Sequence, residues 1–234
     1  MMIDLHTHLL PNVDDGAGSV EETIELLQLL SEQKVKIAVC TPHFYPYLTA
    51  LSEFLEMRNT AFAMVSGVSN IRLITGSETM LHDYLFHYPD LSELCIAQTR
   101  YLLLEMPFTK SWGSKVYEGL NTLINYYKII PIIAHIERYP AIRRNKRALR
   151  RLLDMGCLLQ MNTSSLVNKQ SRHRAIRLLK KDYISVLGSD CHNRSERPPR
   201  IALPLEIIRK KVGSTVVERM IHNAELIIQD EIIQ

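Results

Sequence analysis

The sequence predicts an α/β fold in which helices cover a parallel β-sheet that is either closed as a barrel or doubly wound. Short β-like runs alternate with amphipathic segments along the 234 residues, and this alternation is typical of parallel sheets. Polar residues recur at the carboxyl ends of the β-like runs. In an α/β barrel the active site forms at these strand ends. The chain is long enough to bury one core and has no evident linker, so we expect a single domain over residues 1–234.

Seven short apolar runs predict the strands, because each combines β-branched or aliphatic residues between turn-forming segments. They cover residues 3–8, 37–41, 71–76, 101–105, 129–135, 158–162 and 184–189.

Apolar residues at helical spacing predict helices between the strands. The first follows a capping box that begins at Ser19, and Gly156 is typical of a helix C-cap. The other helices are predicted over residues 53–65, 115–127, 145–155, 172–181 and 203–212. Residues 215–234 predict a terminal helix with an apolar end, which we expect to pack on the barrel or on another subunit.

Composition limits the classes of function. The chain is 46% hydrophobic and 23% charged with a net charge of +3, which is ordinary for a globular protein and too weakly basic to indicate nucleic-acid binding. The longest apolar run, residues 129–134, is too short to span a bilayer. Polar residues near the start and four cysteines without a C-x-x-C pair favour a reduced, cytoplasmic protein: Cys40, Cys95, Cys157 and Cys191.

Two histidines in the first predicted strand indicate a metal site. Because side chains alternate along a strand, His6 and His8 should share a face with Asp4, while Ile3 and Leu5 point to the other face. A buried polar face is costly unless a partner satisfies it, and a divalent cation would do so. Taken alone, such a pair is also typical of surface or hydrogen-bonded histidines.

Most of the predicted strands end in a metal-ligand residue, so the site should collect ligands from the whole rim. Individually these residues could be helix caps or turn residues. Together five histidines and four carboxylates favour Mn, Zn or Fe over Ca or Mg, and they suffice for two or three ions. Asp14 could replace Asp15, because loops do not keep the strand phase. The nine candidates are His6, His8, Asp15, His43, Glu78, Glu105, His135, Asp190 and His192.

These residues resemble the pattern of the PHP (polymerase and histidinol phosphatase) metal-dependent phosphoesterases. Within that family the chain is similar to the bacterial capsule and exopolysaccharide tyrosine phosphatases. The similar segments are residues 12–16 (NVDDG), 134–139 (AHIERY), 189–193 (SDCHN) and 197–199 (RPP). The chain departs from the family in the loop after His43, where residues 44–47 (FYPY) replace a basic stretch.

The resemblance implies a distorted (βα)7 TIM-like barrel with a trinuclear site, usually of manganese, with iron, zinc, cobalt or magnesium as alternatives. It assigns one ion to His6, His8, Glu78 and Asp190. A second would bind Glu78, Glu105 and His135, and the third Asp15, His43 and His192. Arg138 and Arg197 match arginines that hold the substrate phosphate, and Asp4 and Glu137 would orient ligand imidazoles.

The resemblance also implies a metal-dependent protein-tyrosine phosphatase that uses an activated water. Its substrate would be a cytoplasmic tyrosine kinase with a tyrosine-rich tail, which regulates capsule or exopolysaccharide synthesis. The enzyme would lie at most at the periphery of the membrane. No general acid is assigned, because a phenolate leaves more easily than an alkoxide.

Other functions remain open at this stage. The substrate could be a small phosphate ester such as histidinol phosphate. Similar ligand sets also occur in amidohydrolases, which cleave C–N or C–O bonds. A decayed barrel could instead be a binding module without catalysis. The nine converging ligands argue against the last. Residues 191–197 also match the C-x5-R pattern of thiolate phosphatases, but the segment lacks glycine and runs into a Pro-Pro pair, so we interpret the match as coincidence.

Overall fold

Parallel strands form the core of the fold in the computed structural model, which describes residues 1–143 and 145–233. All the strand pairs in the described part of the chain are parallel. The strands are β1 (Met2–Thr7), β2 (Val35–Cys40), β3 (His43–Phe44), β4 (Arg72–Thr75), β5 (Glu78–Met80), β6 (Tyr101–Glu105), β7 (Ile130–Ile133), β8 (Leu158–Asn162) and β9 (Val186–Gly188).

Helices follow the strands as the sequence predicts, with ends shifted by one to three residues for most of them. Ser19 caps the first helix by accepting a hydrogen bond from the Glu22 amide, and Gly156 adopts a left-handed φ of 83° after the fifth. No described helix is both long and apolar enough to cross a membrane. The helices are α1 (Val20–Glu32), α2 (Leu51–Val65), α3 (Ser114–Asn125), α4 (Pro140–Arg143), α5 (Lys146–Asp154), α6 (Ser164–Val167), α7 (Lys169–Lys180), α8 (Ala202–Lys211) and α9 (Ser214–Ile228).

The nine strands among the described residues occupy seven positions around a curled sheet. Their orders are β1-β2-β4 and β3-β5-β6-β7-β8-β9. Because β2 leads into β3 and β4 leads into β5, each pair is one strand position with a break. Backbone hydrogen bonds span the breaks, from the Gly76 amide to the Cys40 carbonyl at 3.0 Å and from the Glu78 amide to the Pro42 carbonyl at 3.0 Å.

A seam between β1 and the end of β9 brings the first and last strands together. Thr7 forms a parallel bridge with Cys191. The Asp190 amide donates to the His6 carbonyl at 2.8 Å, and the His8 amide donates to the Cys191 carbonyl at 2.9 Å. The seven positions and this seam make the fold a distorted seven-stranded α/β barrel, which confirms the predicted fold class and excludes the doubly wound alternative.

The first strand does not keep the alternation that the sequence predicts. Ile3 and Leu5 belong to the apolar cluster that fills the barrel, whereas we expected them opposite the histidine face. The pairing register of β1 with β2 shifts between Asp4 and Thr7, and the shift lets His6 also reach the barrel mouth. The prediction that Ile3 and Leu5 point away from the site face was therefore wrong, because an irregularity in pairing resets the phase.

Helix α9 closes the end of the barrel opposite the mouth. Ala224 and Ile227 pack into the interior cluster, so the helix docks on its own barrel. The predicted helix over residues 215–234 was wrong in its extent, since α9 ends at Ile228 and residue 234 lies outside the described residues. Asp230 ends it by adopting a φ of 58°, and its carboxylate accepts from the Arg100 amide at 2.8 Å.

Candidate metal centre

The structure brings together at the mouth of the barrel all nine side chains that the sequence singles out. The Nε2 atoms of His6 and His8 lie 3.1 Å apart. Glu78 Oε2 lies 3.0 Å and 3.3 Å from these two atoms, and Asp190 Oδ1 lies 3.4 Å from each. Ligands about 2.1 Å from one ion are separated by about 3.0 to 3.4 Å in octahedral or tetrahedral geometry. These four atoms therefore have the spacing of a shared divalent cation.

Glu78 lies at the centre of the cluster. Its Oε1 is 2.7 Å from His135 Nε2 and its Oε2 is 3.2 Å from His43 Nδ1. Ligand atoms of His43, Glu78 and Glu105 lie within 4.8 Å of one another, and His135 Nε2 lies 3.5 Å from Glu105 Oε1. The family-based set of Glu78, Glu105 and His135 is thus contiguous, with His43 beside it, and Glu78 has the position of a bridging carboxylate.

The third group surrounds Asp15. Its Oδ1 lies 3.3 Å from His192 Nε2 and 3.5 Å from His43 Nε2. His8 joins these three residues, with all four ligand atoms within 4.8 Å of one another. Asp14 instead contacts the far side of the His8 ring, at 2.6 Å from Nδ1. The geometry therefore favours Asp15 over Asp14 as the ligand.

Hydrogen bonds to the other ring nitrogens hold three of the imidazoles in place. Asp14 contacts His8 Nδ1, the Asp190 carbonyl accepts from His192 Nδ1 at 3.1 Å, and Gln160 Oε1 lies 3.3 Å from His6 Nδ1. Each contact leaves Nε2 facing the cluster, as a metal ligand requires. Sequence reasoning missed Gln160. Gln160 and Asn162 are two residues apart on a predicted strand and so share a face, and this pair of polar residues could have indicated that Gln160 points inward.

Asp4 and Glu137 act on the backbone rather than on ligand imidazoles. Asp4 Oδ1 accepts from the Ser189 amide at 2.8 Å and from the His6 amide at 3.4 Å. Glu137 Oε1 accepts from the Asn162 amide at 3.2 Å. The expectation that these carboxylates orient ligand rings was wrong, because both lie beside main-chain donors.

The charge states of Glu78, Asp190 and His192 suit metal binding. Burial acts to lower the pKa of His6 and of His8, but the carboxylates around these rings raise both values, so His6 and His8 must release a proton when an ion binds. Burial acts to raise the pKa of Glu78 and of Asp190, but His6 together with His135 at Glu78, and with His8 at Asp190, outweighs it, and both pKa values lie well below their ordinary range. Burial, followed by the effect of His8, lowers the pKa of His192 to about 4. The carboxylates are therefore ionised and His192 is neutral at pH 7, which are the forms that bind metals.

Three buried ring nitrogens in the described part of the chain have no hydrogen-bond partner. They are His43 Nδ1, His135 Nδ1 and His192 Nε2. A buried polar atom without a partner costs about 1–3 kcal/mol. Two of them, His43 Nδ1 and His192 Nε2, face carboxylate oxygens at 3.2 Å and 3.3 Å without hydrogen-bond geometry, so each pair has room for a common cation. The donor set therefore fits divalent ions.

The backbone is strained at two of the candidate ligands, and this strain is evidence for their role. His135 and Asp190 have φ values of 30° and 54°, in the left-handed region that residues other than glycine rarely adopt. They follow β7 and β9 at the barrel mouth. Strain of this kind clusters at functional sites, where the surrounding structure holds it.

An arginine-lined cavity adjoins the cluster. Arg138 Nη1 lies 3.3 Å from Asp190 Oδ2, and Arg197 Nη2 lies 2.6 Å from Asp190 Oδ1. Their side chains are 45% and 35% exposed, so donors remain for a bound anion. Arg200 lines the same cavity of about 190 Å³. The sequence reasoning missed Arg200, which stands three residues after Arg197 beyond the Pro-Pro pair.

Cys191 is not a thiolate nucleophile in this structure. Its side chain is fully buried, and burial raises the pKa of its thiol to about 12. A thiol with such a pKa is not ionised at neutral pH. The interpretation of the C-x5-R match as coincidence is therefore supported.

Aromatic rings border the metal cluster. Tyr45 stacks on His43 with ring centroids 5.2 Å apart, and Phe108 stacks on His135 at 5.8 Å. The Arg138 guanidinium lies 5.4 Å from the centre of the Phe108 ring. Tyr45 belongs to the loop that departs from the family pattern, so aromatic rings are present where that pattern has a basic stretch.

The barrel and its ligand cluster place this chain in the class of α/β-barrel proteins that have a candidate polynuclear metal site. A family model described as "Capsular polysaccharide synthesis, CpsB/CapC" matches residues 2–229, so the chain belongs to the CpsB/CapC family.

Similar proteins extend over nearly the whole chain. The tyrosine-protein phosphatase CpsB of Streptococcus pneumoniae is 31% identical over 99% of this chain and 100% of its own length. The tyrosine-protein phosphatase YwqE of Bacillus subtilis is 29% identical over 99% and 93%. A solved structure from a study of YwqE and CpsB, described as "unique metal-dependent tyrosine phosphatases", superposes with a TM-score of 0.86 at 27% identity, covering 100% of this chain and 96% of the other.

Proposed function

We propose that this chain is a metal-dependent protein-tyrosine phosphatase whose ligands are the nine clustered residues. The observation that carries the proposal is the arginine cavity next to the ligand cluster, since Asp190 contacts both His6 and Arg197. The tyrosine phosphatases of the same family support the substrate class. Divalent ions bound there would activate a water and withdraw charge from the phosphoryl group.

The arginines would bind the phosphate. Arg138 and Arg197 are held by opposite oxygens of Asp190, so their guanidinium groups are positioned before substrate arrives. Each presents paired N–H donors that match phosphoryl oxygens. Charge that develops on these oxygens during transfer would be stabilised by the same donors.

The surroundings of the site suit a phosphotyrosine on a protein. The side chain of Asp15 is 64% exposed, so the third ligand group opens to solvent and a bulky substrate can approach. Phe108 is 47% exposed and lies against both His135 and Arg138, where it could pack on a substrate ring. A small ester would gain less from such an open, aromatic edge.

We also propose which metal, substrate protein and cellular compartment belong to this function. We assign manganese as the metal, because the family resemblance implies it and the carboxylate ligands suit it. We assign a tyrosine-rich kinase of capsule or exopolysaccharide synthesis as the substrate, because of the family. The four described cysteines are all buried and free, which fits a reducing cytoplasm.

Phosphate release from a phosphotyrosine peptide tests the proposal. We expect activity to be lost on chelation, restored by Mn²⁺, abolished in His6→Ala and retained in Cys191→Ser. Retention after complete chelation, or loss only in Cys191→Ser, would refute the metal mechanism. A kcat/KM far higher for histidinol phosphate than for the peptide would instead assign a small-ester substrate, and intact metal binding without phosphate release from either would exclude phosphatase activity.

A further inference from the structure

A dense cluster of basic residues lies on the outside of the barrel. Residues 143–181 include twelve Lys or Arg and one acidic residue, Asp154. The segment thus carries +11 in a chain whose net charge is +3, and the remainder carries −8. Like charges gathered in this way repel one another unless an anion lies among them.

Part of this cluster lines a groove along helix α7. A cavity of about 600 Å³ extends from Lys169 at the start of the helix to Lys180 at its end, and Lys211 of α8 forms the facing wall. A smaller cavity of about 110 Å³ adjoins it, since Arg177 and Lys181 line both. We call the two together the α7 groove. The residues that line the larger cavity extend along the whole length of α7.

The positive charge of the groove is not neutralised by the protein. Among the described residues of 143–181, none forms an ion pair with a carboxylate. Arg172 donates to the carbonyls of Leu166 and Val167, both at 2.6 Å, and these acceptors carry no compensating negative charge. Burial and the neighbouring Arg143 lower the pKa of Arg174, which indicates crowding of like charges.

The groove begins next to the arginine cavity of the proposed active site. Ser164 at the start of α6 lines that cavity, and α7 follows α6 after a single residue. The 12 residues of α7 span about 18 Å, which is the length of about five extended residues. A polypeptide whose phosphotyrosine occupies the arginine cavity can therefore continue along the α7 groove.

We propose that the α7 groove binds an acidic segment of the phosphoprotein substrate, close in sequence to the phosphotyrosine. This proposal rests on the proposed function. Clusters of basic residues recognise acidic and phosphorylated segments. A membrane is the less suitable partner, since the groove is concave and no large exposed apolar residue occurs among the described residues of 143–181, whereas interfacial binding uses apolar anchors. The same lack of exposed aromatic rings disfavours single-stranded nucleic acid.

The test compares phosphotyrosine peptides of equal length that carry five Glu or five Gln residues, placed on either side of the tyrosine. The groove variant combines Lys169→Gln, Arg177→Gln and Lys181→Gln. A matched control removes three exposed charges elsewhere, through Lys36→Gln, Arg72→Gln and Lys115→Gln. p-Nitrophenyl phosphate is too small to reach the groove and reports the activity of the metal centre alone.

We expect the wild-type and control proteins to prefer the Glu peptide by about tenfold in kcat/KM at low salt, and the groove variant to lose the preference. Activity on p-nitrophenyl phosphate should be the same in all three. Equal kcat/KM for Glu and Gln peptides in the wild type, or a preference retained in the groove variant, would overturn the proposal.

Two further measurements separate the proposals. If no phosphotyrosine peptide is hydrolysed, the proposed function fails, and fluorescence anisotropy with the unphosphorylated Glu peptide still tests the groove. Groove-dependent binding of that peptide supports recognition of acidic segments, and its absence refutes it. Groove-dependent binding to phosphatidylserine vesicles, without discrimination between the peptides, would assign the surface to a membrane and overturn the proposal.

Discussion

Asp14 connects two candidate metal ligands from different strands, since its Oδ2 lies 2.6 Å from His8 Nδ1 and accepts from the His43 amide at 2.9 Å. Burial acts to raise the pKa of Asp14, but His8 and His43 together outweigh it and the pKa is lowered. The carboxylate therefore stays ionised and holds the proton of His8 on Nδ1, with Nε2 toward the cluster.

Replacing Asp14 should weaken metal binding without removing a ligand. We expect Asp14→Ala to lower metal affinity by about 10- to 100-fold, because the His8 ring loses its orientation. Calorimetric titration of metal-free protein with Mn²⁺ measures the change. Asp83→Ala, at an exposed position, should leave the affinity unaltered, and an unaltered affinity in Asp14→Ala would contradict an orienting role.

Gly188 leaves room for His6. A Cβ at residue 188 would lie 2.5 Å from the His6 Cβ and 2.9 Å from Gln160 Nε2. We expect Gly188→Ala to lower the free energy of unfolding by about 1–3 kcal/mol, and to weaken metal binding because His6 must move.

Urea unfolding with and without Mn²⁺ tests this expectation. Gly119→Ala is a matched control, since its Cβ would meet flexible side chains no closer than 3.2 Å and alanine favours a helix. Equal stability of the two variants would show that the space at residue 188 is not required.

Arg197 should contribute to the transition state and not to metal binding. We expect Arg197→Ala to lower kcat/KM on phosphotyrosine peptides by about 10²- to 10³-fold, with partial recovery in Arg197→Lys because lysine lacks the paired donors. Metal content, measured by elemental analysis, should stay constant. Arg194 lies in the same loop and pairs with Glu25 at 2.9 Å, so Arg194→Ala should retain activity. A similar loss in both variants would point to damage of the loop.

Glu137 should make the metal-free protein less stable as pH rises. Burial raises its pKa from the ordinary 4.5 to about 7, and its Oε2 has no hydrogen-bond partner among the described residues. Its contribution to stability is thus fully present below pH 4.5 and is lost as pH rises through about 7.

The variant Glu137→Gln isolates this contribution, because an amide oxygen can still accept from the Asn162 amide. In the presence of chelator, the free energy of unfolding of the wild type should fall relative to Glu137→Gln between pH 5 and pH 8, with a slope of at most about 1.4 kcal/mol per pH unit. Parallel pH profiles of the two proteins would contradict a raised pKa.

Local patterns were sufficient to predict the fold class and the proximity of the nine polar residues. The alternation of strands and helices requires a parallel sheet, and strand ends in such a sheet meet at one edge. The break between β2 and β3 was also readable in principle, since Pro42 cannot donate a backbone hydrogen bond.

Features that depend on contacts between distant residues could not be read from the sequence. The register shift in β1 arises from its pairing with β2, and it placed Leu5 inside the barrel against expectation. Gln160 contacts His6, which is 154 residues away in sequence, and Arg200 reaches the arginine cavity only through the path of its loop. Spacing along one segment carries no information on such contacts.

The seam has a consequence for how the chain folds. His6 and His8 lie on one side of it, and Asp190 and His192 lie on the other, so ions bound between them would fasten the first strand to the last. Contacts between residues so far apart in sequence form slowly, because closing the long intervening loop costs conformational entropy. Bound metal would thus reinforce the backbone hydrogen bonds that already join the first and last strands, and we expect metal-free protein to be cleaved by proteases near its final strand more readily than metal-bound protein.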